Sequence, residues 1–132
     1  MTTGNDAAAR TEIADVAARY AYYADQQRWA DLAGLYSDDA VLDLSSMGGK
    51  TITGRADLLT HFEGLRSPIA HHPTSMFTDF TGEGAVTHVR MLVLFKRSMV
   101  TVDHTWRMVQ VEGRWLIHRQ IMESRGKVDV AV

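Results

Sequence analysis

The chain has 132 residues, 45% of them hydrophobic, so one domain can bury a core without metal or disulfide help. Its 14 basic and 16 acidic residues nearly cancel and form no block of one sign, which argues against nucleic acid or an anionic membrane as a partner. Cysteine is absent, which excludes disulfides, thiolate zinc sites and cysteine nucleophiles. No window is apolar enough for a signal peptide or a membrane span, and we expect a cytoplasmic protein.

The first half of the chain predicts three helices and one short strand. Apolar residues recur at helical spacing over 7–24, 29–36 and 55–64, which indicates three amphipathic helices. Asp38 and Asp39 predict a turn into a strand over 40–45. The helices therefore precede most of the predicted sheet.

The second half predicts strands only. After Pro68, turn residues separate four strands over 71–80, 85–97, 99–111 and 114–122. Helices followed by a meander predict an α+β fold in which the N-terminal helices pack on one face of a curved antiparallel sheet. We expect a single domain over 1–132, with 1–6 and 126–132 as candidate flexible tails; the second could instead reach a partner subunit.

Strand alternation separates the histidines, because residues two apart share one face of a sheet. His104 shares a face with Val102 and Trp106, which puts an ionisable ring on an apolar surface. Two interpretations are open: a neutral core histidine with one hydrogen-bond partner, or a functional group in a cavity. His88 and Arg90 lie on the opposite, outer face, where with Arg107 they predict the contact of a homodimer.

Tyr20, Asp25 and one histidine of the His71-His72 pair form a candidate acid/base set. A carboxylate beside an imidazole fixes its tautomer and raises its basicity, and a phenol can donate to developing negative charge. The structural alternatives are that Asp25 only closes a helix and that Tyr20 is an ordinary core aromatic. Tyr23, one helical turn after Tyr20, is expected at the rim of the same cavity.

Metal and nucleotide motifs are missing from the sequence. There is no H-E-x-x-H and no glycine-rich phosphate loop, and His71 and His72 point to opposite faces of a regular strand, so they cannot easily share an ion. We predict no cofactor and no metal site.

An ordered series of short motifs resembles one known family. The series comprises Arg19-Tyr20-Ala21 with Asp25, then Trp29, Leu32 and Leu35, Ser37-Asp38-Asp39-Ala40-Val41, Gly54-Arg55-Ala56-Asp57-Leu58, His71-His72-Pro73-Thr74-Ser75, and Gly113-Arg114-Trp115-Leu116-Ile117. It is similar to the SnoaL-like branch of the nuclear transport factor 2-like superfamily, which includes ketosteroid isomerase, scytalone dehydratase and bile-acid dehydratase relatives. The resemblance spans nearly the whole chain and implies a cone-shaped α+β fold.

The resemblance also implies roles for single residues. Tyr20 falls at the cavity tyrosine and Asp25 at the cavity aspartate of these enzymes. His71 falls at the histidine that dehydratases hold beside that aspartate, although a slip of one residue would substitute His72. His104 lies near a strand position where relatives keep a polar amide.

Three positions depart from the patterns of the relatives. Ser75 stands where many relatives carry asparagine, and Leu44 stands where ketosteroid isomerases keep their base. The second histidine of scytalone dehydratase falls near Phe95 or Lys96. These departures argue against an orthodox steroid isomerase or scytalone dehydratase.

These residues and the resemblance predict a cofactor-independent dehydratase, isomerase or cyclase that acts next to a carbonyl on a small apolar, polyketide-, terpenoid- or steroid-like substrate. His71, oriented by Asp25, would move the proton, and Tyr20 with His104 would bind the enolate oxygen. The predicted substrate-binding residues are Tyr23, His72, Ser75, Met76, Met91, Trp106 and Met108. The alternatives are a non-catalytic ligand-binding or dimerisation domain and an epoxide hydrolase, for which only Arg90, Asp103 and Arg107 are available.

Overall fold

The computed structural model describes residues 4–66 and 68–130. Its helices are α1 (Gly4–Asp25), α2 (Trp29–Ala33) and α3 (Arg55–Glu63), with one short 3₁₀ turn at Ser45–Met47. Its strands are β1 (Tyr36–Asp43), β2 (Thr51–Thr53), β3 (Ala70–Thr81), β4 (Gly84–Leu94), β5 (Ser98–Val111) and β6 (Arg114–Asp129). The predicted α+β class is confirmed: helices pack on one curved sheet.

Helix α1 buries the stripe that its sequence predicts. Ile13, Val16, Ala17, Tyr20 and Ala24 are all buried, because they repeat on one helical face. The helix begins at Gly4, before the predicted residue 7, and residues 1–3 of the predicted N-terminal tail lie outside the described residues. Asp25 is the last residue of this helix, at the edge of the core.

The second predicted helix is too long. Helix α2 ends at Ala33, and Tyr36, which the helical pattern had included, is fully buried at the start of β1. The predicted turn at Asp38 and Asp39 is a register irregularity within this strand, where both side chains are exposed. A local apolar pattern could not show whether Tyr36 belongs to a helix or to a strand, because its position depends on pairing with Ile117, far along the chain.

The sheet has six strands in the order β2-β1-β6-β5-β4-β3. Four of the five strand pairings are antiparallel as expected, and the exception is β1, which runs parallel to β6, so the sheet is mixed. The predicted flexible tail is wrong for residues 126–129, which belong to β6 and pair with residues 98–101 of β5. Residues 131–132 of that tail lie outside the described residues.

Three bulges, one in β3 and two in β6, bend the sheet and re-aim its side chains. In β3 the register slips between Pro73 and Ser75. In β6 one residue is added opposite Thr101 and Val102, and another opposite Arg107 and Met108. Bulges increase local twist and curvature, which favours a sheet that wraps around the helices. No helix in the described part of the chain is long and apolar enough to cross a membrane.

Candidate active site

A cavity of about 430 Å³ lies between the helices and the concave face of the sheet. Its walls are mainly aliphatic and aromatic, and its polar lining residues are Tyr20, His61, Arg66, His71 and Ser124. An apolar hollow of this size with a few convergent polar groups is typical of a site for a small organic molecule.

Asp25 and His71 form a hydrogen-bonded pair at this cavity. One carboxylate oxygen of Asp25 lies 2.7 Å from Nδ1 of His71. Both carboxylate oxygens also accept from the backbone N–H of His71, at 2.9 and 3.0 Å. The two side chains are 15% and 18% exposed for His71 and Asp25, so the pair is shielded but reachable. The end of α1 thus orients both the backbone and the ring at the start of β3.

The contact with Asp25 determines what the imidazole can do. A carboxylate can only accept, so Nδ1 of a neutral His71 carries the hydrogen and Nε2 keeps its lone pair. His71 pairs with Val93 across the sheet, and both residues line the cavity. This arrangement equips His71 to take a proton from a molecule bound beside it.

A second polar group extends from Tyr20 in the cavity wall into the core and centres on Gln120. Its side-chain nitrogen donates to the hydroxyl of Tyr20 at 3.2 Å and lies 2.8 Å from Nδ1 of His104. Its side-chain oxygen accepts from the hydroxyl of Tyr36. All four side chains are buried, so these hydrogen bonds satisfy groups that water cannot reach. The ring of Tyr20 contacts both histidines edge-on, with centroids 6.2 Å from His71 and 5.5 Å from His104.

Burial keeps this group uncharged. Desolvation lowers the pKa of His104 to about 3, with a smaller contribution from His71, so the ring is neutral at pH 7. Because Gln120 donates to Nδ1, the hydrogen of this neutral ring is on Nε2. Burial also raises the pKa of Tyr20 and of Tyr36, so both phenols keep their hydrogens.

Most of the predicted site residues fall into two groups: some line the cavity or contact a residue that does, and others lie in the core behind it. Of the predicted catalytic residues, Tyr20 and His71 line the cavity, Asp25 contacts His71, and His104 lies one layer behind, in the core. The predicted pocket residues Met91, Trp106 and Met108 are fully buried in the same core layer, and Met76 packs against it from β3. None of these four is among the described residues that line the cavity.

The other three predicted binding residues also lie away from the cavity among the described residues. His72 is exposed, because its neighbour His71 takes the inward position of the strand. Ser75 would share that inward face in a regular strand, but the bulge after Pro73 turns it outward, opposite Arg90. Tyr23 lies on the outer side of α1, where it accepts a hydrogen bond from Arg19 and packs under the guanidinium of Arg28.

The outer face of the sheet carries the residues proposed for epoxide chemistry and for a dimer contact. Arg90 and Asp103 form an ion pair there, with N–O distance 2.7 Å, and Arg107 is exposed. None of these three is among the residues lining the cavity in the described chain, which speaks against an epoxide hydrolase built from them. The homodimer stays a prediction.

Sequence reasoning missed Gln120, Tyr36, His61 and Arg66. Gln120 could have been detected, because it shares the inward face of β6 with the apolar Met122. A polar amide buried on such a face requires hydrogen-bond partners. Tyr36 was hidden in the helical stripe assigned to α2. His61 and Arg66 gave no signal, since their approach to the cavity depends on how α3 packs on the sheet.

The comparisons with known proteins agree with this architecture. The model of the SnoaL-like domain matches residues 5–120. The chain belongs to the SnoaL-like family. No curated protein matches it.

Solved structures share the fold of this SnoaL-like chain over nearly its whole length. A hexachlorocyclohexane dehydrochlorinase, LinA-type3, from Novosphingobium barchaimii superposes with a TM-score of 0.83 at 18% identity, covering 94% of this chain and 91% of the other. A candidate scytalone dehydratase from Novosphingobium aromaticivorans gives 0.80 at 20% identity, covering 99% and 93%. A nuclear transport factor 2-like protein with a cystatin-like fold, also from Novosphingobium aromaticivorans, gives 0.74 at 20% identity, covering 95% and 92%. At these identities the likeness is one of fold.

Proposed function

We propose that this protein is a cofactor-independent lyase or isomerase in which His71 abstracts a proton from carbon on a small apolar substrate. The observation that carries the proposal is the 2.7 Å contact between Nδ1 of His71 and the carboxylate of Asp25 at the wall of an apolar cavity. A dehydratase, an isomerase or a cyclase would each begin with this proton transfer.

The surroundings of His71 favour general base catalysis. Asp25 holds the ring in the tautomer that leaves Nε2 as the acceptor, and its negative charge stabilises the imidazolium that forms. The apolar wall excludes most water, which strengthens this electrostatic support. After the transfer, the electron pair of the broken C–H bond either expels a leaving group or forms an enolate.

Tyr20 is the proposed donor to an enolate oxygen. Its hydroxyl accepts from Gln120 and so retains its own hydrogen for donation, and its raised pKa keeps it protonated. His104 would act through the Gln120 amide, by helping to fix the direction of the Tyr20 hydroxyl. An elimination that expels a leaving group directly would need less help from Tyr20.

Hydrogen–deuterium exchange tests the proton transfer without requiring the natural substrate. Wild-type protein is mixed in D₂O with flat ketones such as 2-tetralone, and exchange at the carbon next to the carbonyl is followed by NMR. We expect His71→Gln to lower the protein-catalysed rate by roughly 10²–10⁴-fold. We expect Asp25→Asn to lower it by roughly 10–100-fold, as loss of an orienting partner does elsewhere.

His88→Gln is the matched control, because His88 lies on the outer face of the sheet, away from the cavity. Its rate should equal that of the wild type. Thermal melts of all variants check folding, since Asp25 also holds the backbone of β3. Exchange by His71→Gln as fast as by wild type would refute the proposal.

A ligand-binding domain without turnover is the second candidate. It is favoured by the lining itself, which offers mostly hydrocarbon and few polar groups. Native mass spectrometry of the purified protein distinguishes the two: a stoichiometric ligand recovered unchanged, together with no exchange on any ketone, would favour binding alone.

A further inference from the structure

The mouth of the cavity is marked by the lining residues that are exposed: Met47, Leu65, Arg66 and Ser124. The interior residues, such as Leu32 and Phe62, are almost completely buried. Arg66 belongs to the segment between the end of α3 and the start of β3. One end of a bound molecule would therefore meet Arg66 as it reaches water.

Arg66 carries a charge that nothing in the described chain neutralises. It makes no hydrogen bond and no ion pair with any described residue, whereas Arg55, Arg90 and Arg119 each pair with an aspartate. Among the described residues that line the cavity, none has a carboxylate, and Asp25 is engaged with His71. The apolar cavity thus has an unpaired cation at its edge.

A surface depression beside the mouth adds one cation and one anion to the surroundings of Arg66. It shares His61 and Leu65 with the cavity and also contains Lys50. Lys50 is close enough that its charge adds to burial in lowering the pKa of His61. Asp57, in the first turn of α3, also lines this depression. The side of the depression that joins the cavity is formed by His61 and Leu65, next to Arg66.

We propose that the molecule this cavity binds is amphipathic, with an apolar body inside and one carboxylate group at the mouth against Arg66. The inference rests on the proposed function in that the same molecule would present its acidic C–H to His71. It adds that the natural substrate carries a carboxylate beside its apolar body.

Both parts of such a molecule would gain free energy on binding. The apolar body gains from leaving water, and the carboxylate can accept two parallel hydrogen bonds from a guanidinium. Arginine suits this role because its planar donors match a carboxylate and its charge persists at every relevant pH. A fixed charge at the mouth would also set the direction in which the molecule enters.

A matched pair of probes tests the proposal by isothermal titration calorimetry. The probes are 2-naphthylacetic acid and its methyl ester, which share the same ring system and differ in the charge. Wild-type protein should bind the acid roughly three- to tenfold more tightly than the ester at low salt, the size expected of one partly solvated ion pair. High salt should reduce the preference.

Variants then test whether Arg66 is the source of the preference for the acid. Arg66→Gln should remove the preference for the acid and leave the affinity for the ester unchanged, while Arg66→Lys should keep part of the preference. Arg114→Gln is the matched control, since Arg114 is exposed at the far end of β6 and does not line the cavity. Equal affinities for acid and ester in the wild type, no binding of either probe, or an equal loss in Arg66→Gln and Arg114→Gln would overturn the proposal.

Repeating the titration with His71→Gln separates this inference from the proposed function. A preference for the acid that depends on Arg66 and persists in His71→Gln supports the inference, whatever the exchange experiment gives. Should exchange fail while this preference holds, the base role of His71 is refuted and the carboxylate site remains.

Discussion

His71 and His104 both contact the ring of Tyr20 edge-on, yet their chemical surroundings differ. His71 is 15% exposed in its side chain, faces the cavity and is bound to the carboxylate of Asp25. His104 is 2% exposed, lies in the core and is bound to the amide of Gln120. A carboxylate can stabilise a protonated ring, whereas an amide that donates to Nδ1 holds the ring neutral.

The difference shows that an imidazole's role follows from its partner and its access to the cavity. Strand alternation predicted His104 on an apolar face, whereas for His71 and His72 it predicted only that the two rings face opposite sides of the strand. The partner comes from another element: the end of α1 for His71 and the middle of β6 for His104. Experiments that change the partner or the access should therefore separate the two.

Removing the amide partner should have the largest effect on stability. Gln120→Leu keeps a similar volume but leaves Tyr20, Tyr36 and His104 without the bonds that satisfy them, and all are buried. We expect the free energy of unfolding to fall by roughly 3–5 kcal/mol, since each unsatisfied buried polar group costs about 1–3 kcal/mol. Urea titration measures it. The exposed Gln110→Leu serves as control and should change stability by no more than about 0.5 kcal/mol; equal losses would mean that the buried network contributes nothing specific.

Acid should destabilise the protein through His104 by a smaller amount. Its pKa is lowered from 6.5 to about 3 by folding, so the unfolded chain takes up the proton first. The stabilisation is complete above pH 6.5 and declines as the pH falls towards 3, by about 2 kcal/mol between pH 7 and pH 5. Urea titrations of wild type and His104→Gln at both pH values measure it. The variant lacks the titrating ring, so identical pH slopes would contradict the lowered pKa.

Replacing the neighbouring histidine should have the smallest effect. His72 is exposed and directed away from the cavity, so His72→Ala should change the deuterium exchange rate by no more than about twofold. The same NMR assay applies, with His71→Gln measured beside it. A loss as large as that of His71→Gln would mean that the strand presents His72 to the substrate instead.

The sequence was sufficient for the parts of the fold that depend on local periodicity. The stripe of α1, the alternation of β5 around His104 and the family resemblance all came from the residues themselves. It was insufficient where distant strands determine the outcome: the parallel pairing of β1 with β6 and the extension of β6 through residues 126–129. Neither has a local signature, because each depends on a partner strand.

The candidate site shows the same division. Asp25 and His71 were recognised as a pair, because the family motif links two segments that are far apart in sequence. The outward turn of Ser75 could not be foreseen, since a single bulged residue reverses the alternation of all that follows. Gln120 was visible only as one polar residue among apolar neighbours, and its three partners come from three other elements.

Asp25 accepts from the main chain of His71 as well as from its ring. If His71 is the proposed base, Asp25 has two roles, because it also joins the end of the first helix to the start of the third strand when no proton moves. A descendant of this protein that had given up chemistry and kept only its receptacle would still be under pressure to retain an acid there. In comparing descendants, the histidine side chain would be the more sensitive marker of lost activity.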